Sequence, residues 1–152
     1  MEDIKRFRVK KQEKDDDVYF SIAWSHLTKA ERYTILGSAP SMAGVYELYY
    51  REPGGALKQL FFQMAWYGGI REHLRRDIDP TLLDDAPIQK AIVEVNSCFF
   101  RYSLMEDIHD MEDLCFFFSR KAPPDKKELP SHSGRYRKIY VREIDSDRLV
   151  TF

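Results

Sequence analysis

Residues 44–77, GVYELYYREPGGALKQLFFQMAWYGGIREHLRRD, decide the fold of this chain. The runs from Val45 to Tyr50 and from Leu57 to Tyr67 are rich in β-branched and aromatic residues. Pro53-Gly54-Gly55 between them supplies turn chemistry, so the pair predicts a hairpin with long arms. Gly68 and Gly69 break the second strand. Ile70, Leu74 and Ile78 then recur every four residues, a narrow helical stripe with Arg71 and Arg75 beside it, and Pro80 limits the helix. Tyr46 and Tyr67 belong to the two strand-like runs, and Arg71, Arg75 and Arg76 follow them. Hydroxyls together with guanidinium groups suit the handling of a phosphate.

Upstream, residues 1–17 are charged throughout and read as an arm or a solvated first strand. Val18 to Trp24 is strand-like. Thr28-Lys29-Ala30-Glu31 has capping-box spacing, which predicts a short helix to about Leu36, ended by Gly37. Downstream, Asp84-Asp85-Ala86-Pro87 reads as a helix start, and Ile88, Ala91, Ile92 and Val95 keep helical spacing. Cys98 to Leu104 is an aromatic strand. Ile108, Met111, Cys115 and Phe118 mark another amphipathic helix. A polar loop from Lys126 to Gly134 leads to the strand-like run Arg135 to Ile144. That run interleaves Arg135, Arg137, Lys138 and Arg142 with Tyr136 and Tyr140, a composition that holds phosphates and stacks bases and that equally guards an edge strand. The edge strand is favoured, because Glu143, Asp145 and Asp147 dilute the field. The expectation is an α+β domain over residues 18–152, a small, mostly antiparallel sheet flanked by helices, with its core at about residues 40–124.

At 152 residues the chain suffices for a single core. No apolar run approaches the ~20 residues of a membrane span, and the charged start lacks the pattern of a secretory signal, so a cytoplasmic protein with no membrane partner is expected. A net charge of −1 means that any phosphate-binding surface must be a local patch. Cys98 and Cys115 lie in apolar surroundings and read as buried free thiols. His26, His73, His109 and His132 show no metal spacing. Glu106 and His109 form a single Glu-x-x-His pair, where a bridged metal pair needs two. No nucleophile elbow, phosphate-cradling loop or dinucleotide fingerprint is present.

Gly44-Val45-Tyr46 and Tyr67-Gly68-Gly69, followed by a basic helix, a second helix, an aromatic strand and a third helix, resemble the two signatures and element order of the GIY-YIG endonuclease family. The likeness covers about Pro40 to Pro124. It implies that Tyr46 and Tyr67 orient or deprotonate an attacking water and contact the phosphate. Arg76 would stabilise charge on the phosphoryl oxygens, with Arg75 as its alternative and Arg71 as a further phosphate ligand. Glu112 would hold one Mg²⁺ or Mn²⁺, with Asp110 and Asp113 as its neighbours. The chain departs from the family pattern at Gly69, in the longer interval spanning Arg51 to Gln63, and at Asp77, which stands at the usual arginine position. It also lacks the family asparagine near Lys121 to Pro124, its one asparagine being Asn96. Two functions are therefore expected: metal-dependent hydrolysis of phosphodiester bonds in DNA or RNA, or a non-catalytic module of the same fold that binds nucleic acid or a protein partner.

Overall fold

The computed structural model describes residues 4–145. In chain order the elements are β1 (Val9–Lys14), β2 (Asp17–Ala23), β3 (Thr28–Lys29), α1 (Arg32–Ser38), β4 (Gly44–Arg51), β5 (Leu57–Ala65), α2 (Gly69–Asp77), α3 (Pro87–Val95), β6 (Ser97–Leu104), α4 (Ile108–Phe117) and β7 (Lys138–Ile144). The class is α+β. The predicted hairpin is β4 and β5, and β6 pairs antiparallel on the other side of β4, with the two-residue β3 beyond it. A single small sheet was expected, and there are two. In the second, β2 lies between antiparallel β1 and parallel β7. The sheets meet at one bridge, Arg8 beside Leu104, where the Leu104 N–H donates to the Phe7 carbonyl.

Strand alternation divides the core. Tyr46 and Leu48 of β4 point to one face of the four-stranded sheet, with Phe61, Phe100 and Tyr102, and pack against Ile35 of α1 and Ile70 and Leu74 of α2. Val45 points to the other face, with Phe62. There it meets Met111 and Leu114 of α4 and the inward residues of β2, Val18, Phe20 and Ile22, with Trp24 just beyond. The layers are thus α1 to α3, the four-stranded sheet, then α4 with the three-stranded sheet. Full burial of each such side chain contributes roughly 1.5–3 kcal/mol.

The remaining expectations fare differently. Of the two readings of the charged start, an arm or a solvated first strand, residues 9–14 take the second, paired residue for residue with β2, and Phe7 before them is buried. The core accordingly reaches well outside residues 40–124. The capping box does not form, because the Thr28 backbone pairs with Phe100 in the sheet and the Thr28 hydroxyl donates to the His26 carbonyl. The helix instead starts after Glu31 and runs through Gly37 to Ser38. The final strand is an edge strand, as expected, although Asp147, counted among its diluting charges, lies outside the described residues. Both cysteines are buried free thiols. Among the described residues no helix is long and apolar enough to cross a membrane.

Candidate nucleic-acid interface

The residues singled out by the tyrosine and arginine motifs do not converge. Tyr46 is 1% exposed, in the core beneath α2, and its hydroxyl donates to Asp77 Oδ2. Burial first, and then the Asp77 carboxylate, hold this phenol well above its ordinary pKa, so it cannot serve as a base at neutral pH. Tyr67, by contrast, is 84% exposed at the start of the turn into α2. Arg71 donates to the Ala39 carbonyl at 2.7 Å, and Arg75 makes two bonds to Glu72, leaving Arg76 as the exposed cation of the helix. Glu112 belongs to α4, on the opposite face of the four-stranded sheet from Tyr46 and α2, and its carboxylate is 3.0 Å from His109 Nδ1. Its neighbours Asp110 and Asp113 are both engaged by Arg135. This donor set does not fit a divalent cation shared with the tyrosines, and among the described residues no three His, Cys, Asp or Glu side chains are grouped to hold a metal.

Asp77 has a measurable consequence of its own. Burial raises its carboxyl to about 6, against hydrogen bonds from Tyr46 and Gln89 that act in the other direction. The folded state therefore holds this proton more tightly than the unfolded chain, and the resulting stabilisation is lost as pH rises from about 4 through 6. The shift of about two units corresponds to roughly 3 kcal/mol. Asp77→Asn should remove that slope, so that thermal midpoints of variant and native protein diverge in the variant's favour between pH 4 and pH 7. Parallel curves would show that this carboxyl titrates normally.

The outer face of the three-stranded sheet has a different character. Register places its side chains in three rows: Lys14, Asp17 and Lys138; Gln12, Tyr19 and Tyr140; Lys10, Ser21 and Arg142. Tyr19 and Tyr140 are each 41% exposed and stack on one another across the strands, ring centroids 4.7 Å apart and planes 8° from parallel. Lys10, Lys14, Lys138 and Arg142 are exposed around them. Among the described residues no carboxylate lies within ion-pair distance of Lys10, Lys14 or Lys138. The acid in the rows, Asp17, is neutralised by two bonds from Arg137, which hold its carboxyl below the ordinary carboxylate range. An open groove of about 530 Å³ runs over Lys10, Gln12, Tyr19, Ser21, Tyr140 and Arg142. The opposite side of β1 is tied to neighbouring elements: Lys11 binds Asp110 of α4, and Glu13 accepts from the Tyr136 hydroxyl at 2.5 Å.

A family model described as "Uncharacterised protein" matches residues 8–152. The chain belongs to that family. The matched span takes in both β1 and β7, so the family's sequence includes every strand of the sheet that carries the tyrosine pair. No curated protein and no solved structure matches the chain.

Of the residues on this face, the sequence reading named Lys138, Tyr140 and Arg142, within a run it favoured as an edge strand, and did not name Tyr19, Lys10, Gln12 or Lys14. The available signal was the period-two spacing of Lys10, Gln12 and Lys14, which puts three long polar side chains on one side of a strand.

Proposed function

We propose that this protein is a non-catalytic nucleic-acid-binding module that engages DNA or RNA through the outer face of β1, β2 and β7. The observation that carries this reading is the stacked Tyr19–Tyr140 pair set among Lys10, Lys14, Lys138 and Arg142. Aromatic rings offer stacking surfaces to any base, and flanking cations hold the backbone phosphates. The cluster of four cations is the kind of local patch through which a chain of net charge −1 can hold phosphates. A phosphodiesterase site at Tyr46 is disfavoured by its burial, its high pKa and its separation from Glu112 across the sheet.

The test is fluorescence anisotropy of labelled oligonucleotides with the native protein and with Tyr19→Ala/Tyr140→Ala. Stacking is worth ~1–3 kcal/mol per base, so the double variant should bind about 10- to 100-fold more weakly. Circular dichroism must show that it remains folded. Binding unaffected by the double variant would sink the reading, as would a native dimer that the variant dissociates while no oligonucleotide binds. Incubation of the native protein with DNA and RNA and added Mg²⁺ or Mn²⁺ should yield no cleavage.

A further inference from the structure

Resting on that reading, we infer that the ligand is a short stretch of single strand lying along the β-strands, with bases at the tyrosine row and a phosphate at each of the two cationic rows. The rows follow from register. Lys14 and Lys138 flank Asp17 at one end, Lys10 and Arg142 flank Ser21 at the other, and the tyrosines lie midway. Successive same-face residues along a strand are about 6.7 Å apart, so the two cationic rows are about 13 Å apart. That distance matches the reach of two phosphodiester steps in an extended single strand.

Each row is built for an anion in a different way. In the first, Arg137 pairs with Asp17, so that Lys14 and Lys138 are the cations of the row without an ion-pair partner among the described residues, with Asp15 and Asp16 in the turn beyond them. In the second, Arg142 Nη2 lies 3.4 Å from the Ser21 hydroxyl, which places a guanidinium and a hydroxyl side by side, with Lys10 as the next cation. Between the rows, Gln12 offers an amide in register with Tyr19, able to donate to and accept from a base edge without fixing its identity. A duplex presents no free base faces to the tyrosines, so the face selects single strands.

The experiment is a length series of labelled oligothymidylates and oligouridylates, two to twelve nucleotides long, titrated at several salt concentrations. Affinity should rise steeply to three or four nucleotides and then grow only with the number of overlapping registers. With four cations, the slope of log K against log salt should be about −3 for native protein. It should fall to about half for Lys10→Ala/Arg142→Ala, and likewise for Lys14→Ala/Lys138→Ala. A duplex of the same length should bind at least tenfold more weakly. Affinity that climbs steeply beyond eight nucleotides, a salt slope untouched by either pair of substitutions, or equal binding of duplex would overturn the short-footprint inference while leaving nucleic-acid binding standing. Absence of binding at every length and salt would overturn both.

Discussion

Arg101→Ala is expected to destabilise the fold by about 3–5 kcal/mol, the cost of stranding a buried charge. Arg101 lies on β6 opposite Glu47 of β4, whose side chain is fully buried, and the two pair through Arg101 Nε at 2.6 Å. The same guanidinium reaches Asp145 at 2.7 Å, stands 3.6 Å from Glu143, and lies over the Trp24 ring at 4.6 Å. Trp24 in turn donates to Glu143. One side chain therefore joins the four-stranded sheet to the end of β7. Glu47 also accepts from the Tyr49 hydroxyl and the Gln59 amide, but neither carries a charge to replace the guanidinium. Adding Glu47→Gln to the alanine variant should recover about 1–3 kcal/mol, because a neutral amide needs no counter-charge: its carbonyl still accepts from Tyr49, and its NH2 donates to Gln59 once that amide turns its oxygen inward. Arg101→Lys should fall between, since an ammonium cannot address three carboxylates in a planar fork. Urea unfolding followed by the fluorescence of buried Trp24, in a Trp66→Phe background, measures all four proteins. If the double variant is no more stable than Arg101→Ala alone, the buried charge is not the source of the loss. Oligonucleotide affinity should weaken alongside stability, because loosening β7 displaces Tyr140.

The hairpin and β6 were legible as runs of β-branched and aromatic residues, and α2 to α4 because their apolar periodicity survives in the sequence. β1 was legible only as one of two alternatives. Its Lys11 and Glu13, on the side facing α4, are satisfied by Asp110 and Tyr136 rather than by apolar contacts, so beyond Val9 both faces of the strand read as solvent. The candidate face was illegible for a related reason. Tyr19 and Tyr140 come from opposite ends of the chain, and only the parallel pairing of β2 with β7 sets them side by side. The tripeptide signatures have an explanation in packing. A Cβ on Gly44 would sit 2.3 Å from the Ser103 carbonyl and 2.9 Å from Ile70, so glycine there is demanded by the approach of β6 and α2. A glycine-tyrosine pair on a strand then records close backbone packing, with the tyrosine behind it in the core.

Gly69→Ala is the second large loss, expected at about 3–5 kcal/mol, from left-handed strain and overpacking together. Gly68 and Gly69 both have positive φ, 79° and 73°, and turn the chain from β5 into α2 within two residues. The first amides of the helix are then capped by the segment before β4: Ile70 N–H donates to the Met42 carbonyl and Arg71 N–H to that of Pro40. This capping draws the two backbones so close that a Cβ on Gly69 would meet the Ser41 carbonyl oxygen at 2.2 Å and its carbon at 2.4 Å. Those atoms belong to main chain and cannot swing aside. The second glycine, where the chain departs from the GIY-YIG signature that it resembles, is thus required by the crossing itself. Gly54 separates the two contributions. Its φ is 71°, yet nothing lies within 4 Å of its Cβ position in the hairpin turn, so Gly54→Ala should cost only about 1 kcal/mol, from backbone strain alone. Thermal or urea unfolding of the two alanine variants compares a left-handed glycine with and without a neighbour. Equal losses would mean that conformation, and not the contact with Ser41, sets the requirement at Gly69.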